Sequence, residues 1–474
     1  MRRIAAIAAA KATAVLSQRL RLGGGTALPG LVAERIDPEI VAGLSRRLGQ
    51  GCLIVTGTNG KTTTARLVRG IAQAGGLRPV ANRAGSNLMR GLAAALAQAA
   101  DFGGEFAAAH QRIGVFEVDE ATLPEADEAL SPRVVAFTNL FRDQLDRYGE
   151  VEHVAEVWRR AVAALPPTVT VVLNADDPSI AALARAAAGR VLFYGLDDPS
   201  CGVEGVEHAA DARWCAAPAA RGDGPCGGEL TYAVVYYGHL GHWRCPQCGA
   251  SRPEPAVSAV SVREDSDGIR IKLALPGGGA SAGLPLVGLY NAYNALAAAA
   301  VGVALELAPA AIEKGLSSAT AAFGRQEKMT VGGRQVQVIL AKNPAGLNQV
   351  LRAITGPNSA ERKSLALFLN DNIADGRDVS WIWDVDFELL AGKARSITVS
   401  GVRAWDMALR LKYAGLYEDG APRVEPDSAQ ALKQALGATP QDGTLYVIPT
   451  YTAMLQVRDL LARWAGRGSF WEAE

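Results

Sequence analysis

The chain has 474 residues, more than one hydrophobic core organises, and at about 150 residues per domain it suggests about three domains. Its 48 basic side chains are matched by 48 acidic ones, so charge gives no support to a polyanion-coating role and no nucleic-acid partner is expected. No apolar run reaches the roughly eighteen residues of a membrane span.

The N-terminus, MRRIAAIAAAKATAVLSQRLRL, opens like a secretory signal, with two arginines before an alanine-rich run. Lys11 interrupts that run and the basic pattern continues into Arg19 and Arg21, so the expected element is a basic amphipathic helix of a cytoplasmic protein. A glycine turn at Gly23 to Gly25 and another short helix beginning near Asp37-Pro38 complete an N-terminal helical segment over 1–48.

Residues 53–64, LIVTGTNGKTTT, join a short buried strand, a glycine turn and a helix start, the order that makes a phosphate cradle. Gly57 and Gly60 let backbone N–H groups approach phosphate oxygens, Lys61 can reach the outer phosphates, and the Thr62 hydroxyl can ligate magnesium. The candidate nucleotide site is therefore Gly57, Thr58, Asn59, Gly60, Lys61, Thr62 and Thr63. Val55 stands where the ordinary GxxxxGK[ST] motif has glycine, so the loop belongs to a variant class.

Next come strands ending in polar clusters: RIGVFEVDE (112–120), VVAFTNL (134–140) and VTVVLNADDP (169–178), with helices between them. Such alternation predicts a parallel sheet with helices on both faces and ligands gathered beyond the strand ends. Beside a phosphate loop, magnesium needs further oxygen ligands, and Glu117 is the candidate; Asp119 and Glu120 also fit a solvated acidic loop. The segment TNLFRDQLDRYG (138–149) reads as a ligand loop or as a helix capped at Asp143.

From 197 to 256 glycine, proline, cysteine and histidine replace the alanine background. Four of the six cysteines crowd into residues 215–248, and CPQCG is a tight thiolate knuckle. With the hairpin-like ELTYAVVYYGHLGHWR between the pairs, Cys215, Cys226, Cys245 and Cys248 predict a closed, structural zinc ribbon. Cys201 could replace Cys215, and His239 or His242 could compete as ligands.

Beyond the ribbon are strands at 257–262 and 269–275, a glycine-rich turn at Gly277 to Gly279, and GLYNAYNALAAAAVGVAL. In that helix Asn291 and Asn294 share a face, where their amides can address a purine edge or simply cap the helix. The final third opens with AAFGRQEKM and becomes a second α/β pattern. Its segment LNDNIADGRDVSWIWDVDFE interleaves Asp371, Asp375, Asp378 and Asp384 with Trp381 and Trp383, which argues for an acidic loop packed against its own domain or a partner.

GTNGKTT, FEVDE, TNLFRDQLD, NADDP, GLYNAYNA and FGRQE stand in an order that resembles Mur ligases and folylpolyglutamate synthases, which join amines to carboxylates with ATP through an acyl phosphate. Two features depart from the Mur pattern. Asp143-Gln144-Leu145-Asp146 replaces DHLD, and no lysine occurs from Val151 to Leu165, where those ligases carry a carbamylated one. The competing amino-acid ligase reading loses support from both changes. The ribbon together with LAKNPAGLN and LNDNIADGRDVSW gives a closer match across essentially the whole chain, to the MurT family, the Mur-ligase-like subunits of lipid II isoglutaminyl synthase.

That resemblance implies an α/β fold: a P-loop Mur-ligase-type domain over 49–322, the four-cysteine ribbon inserted at 201–255, and a Rossmann-like α/β domain over 323–474. It implies ATP, Mg2+ and Zn2+ as cofactors, with Lys61 and Thr62 at the β and γ phosphates, Glu117 on magnesium, Asn139, Asn291 and Asn294 near the adenine, and Arg325 near the phosphates. The implied reaction amidates the α-carboxylate of D-glutamate in the lipid II stem peptide, in cell-wall synthesis. Ammonia would come from a separate GatD-like glutaminase subunit in a heterodimer, whose Cys-His pair Asp378 would complete. Contact with the membrane would then be peripheral, through the lipid substrate.

Overall fold

Every residue of Cys52–Thr56 (β1) is buried, as an uninterrupted apolar run requires when helices cover both faces of a sheet. The computed structural model describes residues 1–20, 28–83, 85–143, 150–203, 205–217, 224–265, 268–318, 325–356, 361–417 and 420–466; the side chains of 18–20, 325 and 326 are not among those described. Two compact units result. The first comprises Met1–Phe141, Val151–Glu204 and Ala212–Thr320, and the second Arg142–Glu150, Gly205–Asp211 and Ala321–Glu474.

In the first unit β1 is followed by Arg78–Val80 (β2), Arg112–Glu117 (β3), Val134–Phe137 (β4), Thr170–Asn174 (β5), Val191–Leu196 (β6), the ribbon hairpin Thr231–Tyr237 (β7) and Leu240–Arg244 (β8), then Val257–Asp265 (β9), Gly268–Leu275 (β10) and Gly278–Leu284 (β11). The main sheet runs β11-β10-β9-β6-β5-β4-β1-β3-β2. It is parallel from β2 to β9 and antiparallel through β10 and β11. The glycine turn expected near Gly277 is there, but the chain then continues as β11, an edge strand whose glycines and alanines hide it from pattern reading.

β1 lies between β3 and β4, with Val55 opposite both Glu117 and Ala136. This order delivers the phosphate loop, the FEVDE end and the TNL end to one edge of the sheet. The N-terminal helix Arg2–Leu20 packs Ala6, Ile7 and Ala10 into the same core as Ile54, Phe116 and Phe137. The Gly23 to Gly25 turn lies outside the described residues. No helix among the described residues is long and apolar enough to cross a membrane.

The second unit carries a six-stranded sheet of Arg325–Val331 (β12), Arg334–Ile339 (β13), Lys363–Phe368 (β14), Ala394–Ser400 (β15), Arg423–Val424 (β16) and Thr444–Pro449 (β17). Its order is β12-β13-β17-β14-β15-β16, antiparallel only at β12–β13, with helices such as Pro344–Thr355 and Tyr451–Trp464 filling the connections. Two short segments outside the C-terminal third belong to this unit. Asp143 pairs with Lys342, Glu207 lies 2.5 Å from Arg352, and His208 lies 2.8 Å from Asp386.

Candidate functional site

The phosphate loop is braced from the end of β4. Gly57 has φ +136° and Gly60 φ +86°, conformations that suit glycine, and a Cβ on Gly57 would stand 2.0 Å from the Thr138 hydroxyl. Asn139 grips Asn59 on both sides: its Oδ1 accepts the Asn59 N–H at 2.9 Å and its Nδ2 donates to the Asn59 carbonyl at 3.1 Å. The Thr58 hydroxyl donates to the Phe141 carbonyl at 3.1 Å and accepts the Phe141 N–H at 3.0 Å.

Lys61 opens the helix Lys61–Ala74 and is buried. Its ammonium donates to the Gly57 carbonyl at 2.5 Å and to both carboxylate oxygens of Glu120 at 3.0 Å. Of the two readings the sequence allows Glu120, a strand-end acid beside the phosphate loop or a solvated loop residue, the structure shows the first: the β1–β3 pairing folds it onto the lysine. Glu117 ends β3 and is buried, its peptide clasped by Asn82, whose Oδ1 accepts the Glu117 N–H and whose Nδ2 donates to the Glu117 carbonyl. Thr62 is partly exposed and Thr63 buried at the same helix start.

Asn291 and Asn294 lie on the helix Leu289–Ala304, both buried. Asn291 Nδ2 donates to the Val287 carbonyl at 2.8 Å, Asn294 Nδ2 to Asn291 Oδ1 at 3.1 Å, and Asn294 Oδ1 accepts the Thr64 hydroxyl at 3.3 Å. Asn294 also sits where a Cβ on Gly60 would be, 2.0 Å from it. The helix thus supports the underside of the loop. The Arg325 side chain, residues 321–324, and Gln144, Leu145 and Asp146 of the DQLD segment lie outside the described residues.

The ribbon sulfurs converge. All four Sγ atoms of Cys215, Cys226, Cys245 and Cys248 lie within 4.8 Å of one another, with Cys215–Cys248 at 3.6 Å and Cys226–Cys245 at 3.8 Å. Tetrahedral zinc with Zn–S bonds of about 2.3 Å needs S–S separations of about 3.8 Å, so the donor set fits that ion. The N–H groups of Cys248 and Gln247 in the knuckle bring the Cys245 thiol down to about 7, whereas burial pushes the Cys215 thiol up to about 12. Cys201 is elsewhere, near the Val262 carbonyl; His239 packs beside Asp177, and His242 bonds with Tyr236 and the Leu196 carbonyl.

In the second unit the Asp375 carboxylate accepts the Thr452 N–H at 2.8 Å and its hydroxyl at 2.5 Å, and Gly376 at φ +86° turns the chain. Asp378 follows, exposed, with Oδ1 accepting the Ser380 N–H at 2.8 Å. An Asp371–Arg403 ion pair at 3.0 Å and a bond from the Val402 N–H to Asn370 at 3.0 Å join this loop to the start of the helix Ala404–Tyr413. That helix exposes Trp405, Leu409 and Tyr413.

The family model of the Mur ligase middle domain matches residues 55–213, and that of the MurT ligase C-terminal domain matches 340–454. The subunit MurT of lipid II isoglutaminyl synthase (glutamine-hydrolyzing) from Streptococcus pneumoniae (strain ATCC BAA-255 / R6) is 32% identical over 445 residues, 93% of each chain. The chain belongs to the MurT family. The corresponding subunit MurT from Staphylococcus aureus (strain COL) is also 32% identical, over 441 residues and 93% of both chains. Among solved structures, MurF from Acinetobacter baumannii superposes with a TM-score of 0.65 at 18% identity, covering 93% of this chain and 81% of that one. MurT-family membership and this Mur-ligase fold agree with the α/β class expected from the motifs, and the four-cysteine cluster fits the expected ribbon.

Proposed function

We propose that this chain is the ATP-using subunit of an amidating enzyme of cell-wall synthesis, acting on the α-carboxylate of D-glutamate in the lipid II stem peptide. The observation that carries the reading is the union, in one chain, of a buried-lysine phosphate loop with a C-terminal region matching the MurT model over 340–454. A carboxylate at neutral pH is a poor electrophile. Transfer of the γ-phosphoryl group of ATP to one carboxylate oxygen gives an acyl phosphate and ADP; ammonia then attacks the carbonyl carbon, phosphate leaves, and the amide remains.

The residues divide the work. Gly57, Gly60 and Thr63 would offer backbone donors to the phosphates, Thr58 and Asn59, whose N–H groups are held by Asn139, would fix the shape of the loop, and Lys61 would neutralise charge on the outer phosphates. Thr62 and Glu117 would hold magnesium, which when bound supplies positive charge between the phosphates. Asn139 and Asn291 stand on the adenine side in the family reading. The Asn139 side chain bonds Asn59 of the loop, and that of Asn291 bonds the Val287 carbonyl just ahead of its own helix. In the family reading Arg325 would serve the phosphates. The closed four-thiolate site would hold zinc in a structural role.

Ammonia would come from a glutaminase subunit of the GatD type, with Asp378 orienting the histidine of the partner's Cys-His pair. Support comes from the exposure of Asp378 on an anchored loop and from the exposed aromatic side chains of the adjoining helix, the residue types that anchor interfaces. Such a chain needs no span of its own, meeting the membrane only through its substrate, and works in the cytoplasm, where ATP is available. Lipid II carrying 18O in the stem α-carboxylate tests the chemistry: one labelled oxygen should appear in phosphate per amide formed, and unlabelled phosphate would overturn the acyl phosphate.

A further inference from the structure

The ribbon hairpin does more than enclose four cysteines. Its tip, Gly238-His239 between β7 and β8, enters the core of the nucleotide-binding unit, and His239 is fully buried there. The His239 ring lies against the Phe141 ring, centroids 4.4 Å apart, and Tyr237 stacks on the same ring at 6.0 Å with planes 17° apart. Gly238 passes so close at φ +57° that a Cβ there would stand 2.6 Å from the Phe141 ring. The imidazole Nε2 is 3.4 Å from Asp177 Oδ2, and that oxygen accepts the Leu140 N–H at 2.9 Å.

At the end of β4, Asn139 and Phe141 bond the phosphate loop, and Leu140 lies between them in the chain. The Phe141 peptide groups exchange two hydrogen bonds with the Thr58 hydroxyl, and the Asn139 carbonyl accepts the Thr58 N–H at 2.9 Å. The Thr58 carbonyl in turn lies 3.3 Å from the Lys61 ammonium. A second route runs from Tyr237 to Tyr293, rings 5.4 Å apart, on the helix whose Asn294 supports Gly60. Both routes start at the hairpin tip and end on the loop.

We propose that His239 is a positioning residue for the phosphate loop: it fixes Phe141 and, with Asp177, the Leu140 peptide, and so sets the geometry that Thr58 imposes on the nucleotide. The ribbon is then a strut of the ATP site. In the folded chain His239 serves this purpose rather than metal binding, since the four sulfurs form the cluster without it. The inference rests on the reading of the loop as a nucleotide site, and its test separates the two.

The test uses the full chain with Mg-ADP as probe, titrated calorimetrically, with zinc content and thermal unfolding measured on each variant. His239→Ala should keep zinc at the wild-type stoichiometry yet weaken Mg-ADP binding about tenfold. In the reconstituted enzyme KM for ATP should rise, with KM for lipid II unchanged. His239→Gln, which keeps a polar side chain beside Asp177, should recover part of the affinity, and it carries the test if the alanine variant does not fold. Tyr232→Phe removes a ribbon hydrogen bond to the Ala212 carbonyl that lies off the route, and should leave affinity unchanged. Combining His239→Ala with Phe141→Leu should cost no more than the larger single loss, because both act through one contact. Wild-type affinity in both His239 variants, equal losses in Tyr232→Phe, or additive losses in the double variant would overturn the proposal. Failure of the wild-type chain itself to bind Mg-ADP would instead refute the nucleotide site.

Discussion

The Lys61 ammonium lies 3.0 Å from both carboxylate oxygens of Glu120, and both side chains are buried. A buried pair of this kind holds the lysine over the loop before phosphate arrives, and it punishes the loss of either member. Lys61→Met strips the ammonium from a buried carboxylate, a change that costs about 3 kcal/mol in comparable pairs. Denaturant unfolding should show that loss. Mg-nucleotide titration should show binding abolished, and amidation should fall at least about a hundredfold.

The four thiolates should hold about one zinc per chain. Changing Cys245 and Cys248 together to Ser should release the metal and lower the unfolding temperature of the first unit, because Cys215 and Cys245 also belong to a small apolar cluster with Trp243, Leu230 and Ala181. Elemental analysis and calorimetry of the same preparation check this. Zinc retained at full stoichiometry in the double variant would show that the metal lies elsewhere.

Asp127, on the helix Leu123–Leu130, has its carboxyl pushed up to about 6 by desolvation. A raised carboxyl pKa means that the folded state binds more protons than the unfolded one between about pH 4 and 6, so stability declines as pH rises through that window. Asp127→Asn removes the penalty. It should raise the unfolding temperature by about 2 °C at pH 7.5, a modest value because the side chain is only partly buried, and leave it unchanged at pH 4.

Asp378→Asn preserves the shape of the ADGRD loop, since an amide oxygen can still accept the Ser380 N–H. Glutamine-driven amidation with the partner subunit should fall to background, while Mg-ADP affinity stays within twofold of wild type. Steady-state assays of the reconstituted pair and nucleotide titration of the isolated chain check the two halves separately. Undiminished amidation would remove Asp378 from the partner's catalytic machinery.

The parts legible in the sequence are those that a short stretch of chain determines by itself. The phosphate loop, the knuckle at Cys245 and Cys248, and the alternating hairpin 229–244 carry their geometry in local spacing. The parts that were not legible depend on strand order. Glu120 reaches Lys61 because β3 neighbours β1; Asn139 grips Asn59 because β4 lies on the other side. Asn82, Asp177 and Thr452 hold Glu117, Leu140 and the ADGRD loop across separations of 35, 37 and 77 residues, which periodicity cannot reveal. His239 was legible as a metal-ligand candidate by residue type, yet its burial beside Phe141 and Asp177 needed the hairpin register. The sequence offers Asn291 and Asn294 either as amides for a purine edge or as helix caps, and their bonds to each other and to Thr64 emerge only once the helix lies against the loop.

One experiment decides the central claim. The chain is purified with a glutaminase subunit and given ATP, magnesium, lipid II and glutamine labelled with 15N at the side-chain amide, and the stem peptide is examined by mass spectrometry. If this chain activates the stem carboxylate, the label enters the α-amide of D-glutamate, with one ATP converted to ADP and phosphate for each amide formed. Unlabelled lipid II despite ATP cleavage, or a stem peptide lengthened by a whole amino acid, would contradict that reading.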